Sequence, residues 1–325
     1  MRTLKLMLAA ALTAGVQGSM VSVPAEAADK VRLVISTRMP FELFAPEQAE
    51  AEGYFKQENL DVSIIYASGG AETIQTLSTG SQDVTVGVGT ESAITAFAKG
   101  APIVILSNGR RGTSEVFWYV PKDSPIKSIK DLNGKALAYS RPGATTHTIG
   151  KALLRETGVE AKLVSVGAMP ASRTQAMSGQ IDTGWAAAPV MLDEVRKGNI
   201  RIVASGADVK QMADWSIRST VANADWVAKN RDVATRFMRA LWKGIKFQYE
   251  GGDRAFQRYA DKWQLDIEDA RRSPEYTPLK DVTYTPLNFE PVMRLALEEK
   301  MINEPLTVEQ KKKLVDIVYD PAKDR

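Results

Sequence analysis

The chain has 325 residues and a formal net charge of +3, with 42 Lys and Arg against 39 Asp and Glu. Its composition, 44% hydrophobic and 25% charged, is that of a globular protein, and the near-neutral balance gives a nucleic-acid partner no electrostatic footing. There is no cysteine and His147 is the one histidine, which excludes disulfides, thiolate metal sites, Cys nucleophiles and a His-rich metal centre.

Arg2 and Lys5 precede the apolar run Leu6–Val16, and Ala25-Glu26-Ala27 has the small-x-small form that signal peptidase accepts. A spanning helix needs about 20 mainly apolar residues, whereas Gly15, Gln17, Gly18, Ser19 and Ser22 dilute the second half of this segment. Residues 1–27 are therefore expected to be a cleaved signal peptide. With no cysteine to carry a lipid, the exported chain is expected free in the periplasm of a Gram-negative-type host and not embedded in the membrane. The remainder is too long for one ordinary core, so two lobes are expected.

The first half alternates strands and helices. Val31–Ser36 reads as a buried strand, Ala45–Gln57 as a helix and Leu60–Tyr66 as a second strand. Gly69-Gly70 opens a helix through Ser78, followed by a strand at Val84–Val88, a helix at Glu91–Lys99 and a strand at Ile103–Leu106. Strands separated by helices of this length predict β-α-β crossovers and a largely parallel α/β sheet.

The same alternation restarts after Pro121. Strands are expected at Val116–Val120, Ala136–Tyr139, Lys162–Val166, Asp182–Ala186 and Ile200–Ala204, with helices at Thr145–Thr157, Ala171–Ser178 and Val190–Lys197. From Asp225 the pattern turns helical. Asp232–Tyr249 repeats Val233, Phe237, Leu241, Ile245 and Tyr249 along one face, and Thr307 with Gln310 reads as a capping box. Pro274, Pro278, Pro286 and Pro291 mark an irregular stretch between helices. One internal echo stands out: Thr76–Gly87 and Gln175–Ala186 each carry a helix end, a Gly, and an Asp three residues later that leads into a strand.

Three segments carry a family resemblance: GYFKQENLDVSIIY at Gly53–Tyr66, SIKDLNGKALAYSRPGATTH at Ser128–His147, and MSGQIDTGW at Met177–Trp185. Together they resemble the periplasmic solute-binding proteins of the nitrate/sulfonate/taurine group of ABC importers, which are related to thiamine-pyrimidine-precursor binding proteins. The resemblance covers about residues 31–205. It implies a type II periplasmic binding fold, with two α/β lobes joined by a hinge and a ligand cleft between them. The first lobe would be residues 28–116 plus 213–325 and the second residues 117–212, with crossings near 110–117 and 205–220. The implied partners are a small-molecule ligand and an ABC permease in the inner membrane. The protein is expected to be a monomer, with no cofactor.

Ligands of open α/β sheets sit beyond the carboxyl ends of the strands. The loops there contain the candidate ligand-binding residues Thr37, Arg38, Gly69, Gly70, Thr90, Glu91, Thr145, Thr146, His147, Trp185 and Ala186. Gly143 and the helix start at Thr145 form an anion site if the helix N–H groups face a ligand; otherwise Thr145 is a helix cap. The resemblance implies ligand contact, because the family uses this loop for sulfonate-like or carboxylate-like groups. Gly69-Gly70 is either the matching donor or a tight turn. Arg38 suits an anionic oxygen group or is a solvated loop arginine. Glu91 either takes a helix-start position or holds an ammonium, which would suit a zwitterion such as taurine. Trp185 is either an apolar wall or a core residue, and Trp215 and Tyr284 are further candidates for the cleft. Arg110 and Arg111 are expected to be structural, near the hinge.

No HExxH or GxSxG motif is present, so catalysis is not expected. The alternatives are a periplasmic enzyme such as a dehydratase, or a sensor subunit, on the same scaffold. Among ligands, sulfonate, taurine, carboxylate and pyrimidine classes all remain open, and nitrate fits less well.

Overall fold

The computed structural model describes residues 27–142 and 144–324. The expected signal peptide, up to residue 26, and Gly143 lie outside them. Ten strands are found among the described residues: β1 (Asp29–Ile35), β2 (Leu60–Tyr66), β3 (Val84–Gly89), β4 (Ile103–Arg111), β5 (Val116–Pro121), β6 (Ala136–Tyr139), β7 (Lys162–Ser165), β8 (Gly184–Ala187), β9 (Ile200–Ser205) and β10 (Ser216–Asn223).

One sheet has the order β2-β1-β3-β10-β4. β1 is parallel to β2 and β3, whereas β10 is antiparallel to both its neighbours. Although the family resemblance implies a return crossing near 205–220, the residue pattern gave no strand at β10. Its sequence, SIRSTVAN, lacks an apolar run because the buried positions Ser216, Ser219 and Thr220 are hydroxyl-bearing. Those groups have partners: Ser219 Oγ lies 2.8 Å from Thr90 Oγ1, and Ser216 Oγ accepts from Asn288 N at 2.8 Å.

Apolar side chains cover both faces of this sheet. Leu33, Ile35, Val84, Phe237 and Leu241 form one core, and Leu77, Ile94, Ile105, Val221 and Met293 form another. The long helix is Arg231–Glu250, and Val233, Phe237, Leu241 and Ile245 are buried on its inner face, as the spacing predicts. The expected Ala45–Gln57 helix is instead two, Ala45–Ala51 and Tyr54–Gln57, because Gly53 between them has φ +72°. Pro274 lies inside a helix (Ile267–Tyr276), so the irregular stretch begins later than expected. The capping box joins Thr307 and Gln310 as read.

The second group of strands corrects the parallel expectation. β5 is antiparallel to both β8 and β9, and only β6 and β7 pair in parallel. β5 brings the chain in from the first sheet and β9 carries it back, so the two must run in opposite directions. Phe117, Trp118, Tyr119, Leu137, Ile149, Leu153 and Leu192 form a core of their own here.

The internal echo has a structural counterpart. Gly80 and Gly179 both have positive φ, +70° and +73°. The aspartates that follow play the same part. Asp83 Oδ2 accepts the backbone N–H of Arg32 in β1 at 2.8 Å, and Asp182 Oδ2 accepts that of Ala136 in β6 at 2.8 Å. Each ties the start of the strand after it to the backbone of an earlier strand, at mid-β1 for Asp83 and at the first residue of β6 for Asp182.

The chain passes twice between the five-stranded sheet and the β8-β5-β9 sheet, after β4 and after β9, and the passages touch. Gly112 N donates to Trp215 O at 3.1 Å and Thr113 Oγ1 to Gly206 O at 3.0 Å. A Cβ on Gly206 would stand 2.0 Å from Thr113 O, so no other residue fits there without moving the backbone.

Candidate functional site

Between the two halves lies a cleft of about 410 Å³, walled by the loops beyond β1, β2, β3, β6 and β8 together with Glu115 of the first passage and Ile217 and Arg218 of β10. Of the sequence-derived candidates, Thr37, Arg38, Gly69, Gly70, Glu91, Thr145, Thr146 and Trp185 are on its wall. Thr37 and Arg38 follow β1, where the buried Ser36 donates to Gly87 O at 2.6 Å and anchors the loop. Gly69 stands before the Gly70–Ser78 helix with φ +140°, a conformation that a side chain resists.

On the opposite wall, the Thr145–Thr157 helix begins after Ala144, and no side chain caps it. Thr145 is thus not the cap, and the start of the helix with its partial positive charge faces the cleft. Thr146 Oγ1 accepts from Ser140 N at 3.0 Å, so this hydroxyl fixes the loop as well as lining the wall. Trp185 is 8% exposed. Its indole N–H donates to Gly167 O at 3.1 Å and its backbone N–H to Ser172 Oγ at 2.8 Å, which locks a flat apolar surface against the cleft.

Three candidates lie off the wall. Thr90 is fully buried against Ser219. Ala186 is fully buried too, because alternate residues of β8 face opposite ways and Trp185 takes the cleft side. His147 is two positions beyond Thr145, more than half a helical turn round, and its ring stacks on Tyr139 with centroids 4.4 Å apart. Burial, reinforced by Lys151, lowers its pKa. Trp215 and Tyr284 are also not on the wall: Trp215 packs against two apolar cores, and Tyr284 is 3% exposed with its hydroxyl donated to Met238 O.

The cleft also contains residues the sequence did not single out. Met39, Pro40, Val116, Met169, Pro189, Val190, Ile217 and Met301 make most of it apolar. Arg141, Arg218 and Glu115 add charge. Arg141 sat in a loop already named, but Arg218 had no signal because its strand was not recognised.

The charges form two sets. At the floor, Arg110 is fully buried and donates Nη1 to Glu115 Oε2 at 2.5 Å, with Nη2 donating to the other oxygen. Glu42 lies 3.5 Å from Arg110 Nε and 3.6 Å from Arg218 Nε, and Arg218 is 3.7 Å from Glu115. Burial pushes Glu115 up, but Arg110 and then Arg218 outweigh it and hold the carboxyl below its ordinary range. This set is internally balanced. The second set faces the ligand space: Arg38 and Arg141 are exposed and make no ion pair among the described residues, while burial raises the pKa of Glu91 against the pull of Arg141. An anion is therefore favoured in the cleft, with one carboxyl at hand for a cationic group. No group of His, Cys, Asp and Glu that could hold a metal ion is found among the described residues, and no described helix is long and apolar enough to cross a membrane.

Comparison with known proteins agrees with this architecture. The Bacillus subtilis protein YtlA, named as a binding protein, is 25% identical over 200 residues, which are 60% of this chain and 59% of YtlA. The chain thus spans about three fifths of that relative's length. The periplasmic aliphatic sulphonate binding protein SsuA from Escherichia coli has the same fold, with a TM-score of 0.72 at 17% identity over 87% of this chain and 96% of that one. The alkanesulfonate-binding protein SsuA from Xanthomonas axonopodis pv. citri, bound to MOPS, matches with a TM-score of 0.70 at 16% identity over 90% and 99% of the two chains. The fold is therefore that of the periplasmic binding proteins, as the sequence resemblance implied. The NMT1/THI5-like family model matches residues 48–255, more than half of the sequence, and the chain belongs to that family.

Proposed function

We propose that this protein is the solute-binding component of an ABC importer and captures a small organic anion, sulfonate-like in its head group, between two closing lobes. The observation that carries this reading is the cleft itself. Two unpaired arginines, Arg38 and Arg141, and the uncapped helix start at Thr145 converge on a space whose other walls are largely apolar. Charge-assisted hydrogen bonds would orient the head group, and Trp185 would cover the carbon skeleton. The lobes in this reading are residues 28–116 with 213–325 and residues 117–212, and the touching passages after β4 and β9 are the hinge. Export to the periplasm by removal of residues 1–27, action as a monomer and delivery to an inner-membrane permease belong to the same proposal. The absence of a motif for catalysis supports transport over turnover.

Glu91 supports a narrower second reading, in which the ligand is zwitterionic and an ammonium sits against this carboxyl. A thermal-shift screen of the mature chain separates the two readings. Ligand at 100 times its Kd stabilises the fold by about 2.7 kcal/mol. A shift with ethanesulfonate as large as with taurine favours the simple anion, and a shift with taurine alone favours the zwitterion. No shift with sulfonates, carboxylates or taurine would contradict both.

A further inference from the structure

The cleft does not end at its own walls. A second chamber of about 830 Å³ adjoins it, and Met39, Met169, Pro189 and Val190 line both spaces. We propose that the two chambers form one binding site and that its ligand is an amphiphilic organic anion. Its charged head lies by Arg38 and Arg141, and its apolar tail passes between those four residues into the second chamber. This rests on reading the first chamber as the anion site.

Three features of the second chamber support a tail there. Beyond the shared residues, Pro170, Met191 and Leu265 add apolar side chains to its wall, beside the polar Thr174 and Gln264 and a set of charged residues. The charged groups around it are spent on one another: Arg196 bonds Asp266 at 2.7 Å and Asp269 at 3.1 Å, Lys197 bonds Asp193 at 3.1 Å, and Arg173 bonds Glu194 at 2.7 Å. No counter-charge is left for a second ionic group, in contrast to the unpaired arginines of the first chamber. The walls also come from both halves of the fold. Met169–Met177 and Leu192–Arg196 are helices of the part between the passages, whereas Met39 and Leu265 belong to the rest. A tail lying there would be gripped from both sides, and Met39, Met169 and Met191 give the unbranched, adaptable surface that suits chains of varied shape. A two-carbon sulfonate reaches none of this.

The test is calorimetric titration of the protein with the n-alkanesulfonates from ethanesulfonate to decanesulfonate. Each methylene entering an apolar space strengthens binding about fourfold, so affinity is expected to climb through the long members of the series. Thr174→Trp, which places a large ring in the second chamber, is expected to cut the decanesulfonate-to-ethanesulfonate affinity ratio by about tenfold or more, and Leu265→Ser, a gentler change to the same wall, to cut it by a smaller factor. Affinity that levels off within the short members, with a ratio insensitive to both substitutions, would overturn the second chamber and leave the anion site standing. No binding at any length would overturn the anion site and this inference with it.

Discussion

Arg110 and Glu115 form a two-pronged ion pair sealed from solvent at the point where the chain leaves β4 and turns into β5. Glu42 and Arg218 complete the network, and Arg218 comes from β10, the strand by which the chain returns. Both passages between the halves are therefore tied to one set of charges. Arg218 and Glu115 also line the cleft, so the cleft wall and the crossing between the halves share side chains.

Removing one member of a buried pair leaves an uncompensated charge and costs about 3–5 kcal/mol. Arg110→Met is expected to destabilise the protein by about that amount in urea unfolding. The double change Arg110→Met with Glu115→Leu should cost clearly less than the sum of the two single changes, because it removes both charges. A loss below about 1 kcal/mol for Arg110→Met would show that the network is not structural.

The same pair sets an acid limit. Glu115 titrates below its ordinary value in the folded state, so its contribution is present above the unfolded pKa of about 4.3 and is lost as pH falls through the folded value. Stability of the native protein should therefore drop more steeply below about pH 4 than that of the double variant lacking the pair. Parallel pH profiles would contradict this.

Glu91 runs the other way. Burial raises its folded pKa, so its favourable contribution is complete below the unfolded value near 4.3 and disappears as pH rises through the folded one. Glu91→Gln removes that loss and should make the ligand-free protein increasingly more stable than the native protein as pH rises above about 4. Urea unfolding at several pH values measures this directly. If Glu91→Gln tracked the native protein throughout, the carboxyl would not be strained by burial.

Gly206 lies where the passages touch. Gly206→Ala puts a methyl into the carbonyl of Thr113 and should both destabilise the protein, by about 1–3 kcal/mol, and weaken ligand binding by disturbing hinge geometry. Gly158→Ala, at a helix end with open space around its Cα, is the comparison, since it strains φ without touching the hinge. Equal effects on binding from the two would remove the hinge argument.

Much of this was legible in the sequence because burial and apolar character coincide. Strands such as Leu33–Ile35 and Val84–Val88 are runs of branched residues in a doubly covered sheet, and they stood out. β10 did not, since three of its buried positions carry hydroxyls, and those of Ser216 and Ser219 find their partners in distant segments. With β10 went Arg218. Cleft-wall residues at loop ends were legible to within a residue or two, no better. Trp185 faces the cleft and Ala186 the core because strands alternate, and Thr145 faces the cleft while His147 turns toward Tyr139 because a helix rotates. A shift of one residue decides between cleft and core, and a single sequence does not carry that register. The second chamber was invisible because its walls come from three segments far apart in sequence, at Met39, residues 169–197 and residues 264–269, that meet only through tertiary contact.

The central claim is that Arg38 and Arg141, one on each side of the cleft, hold the head group of an anionic ligand. Calorimetric titration of ethanesulfonate into the native protein and into the Arg38→Ala, Arg141→Ala double variant tests it most directly. Saturable binding by the native protein is expected, with a loss of about a hundredfold or more in the variant, at two charge-assisted contacts of about 1.5–3 kcal/mol each. Equal affinity in the two proteins would contradict it.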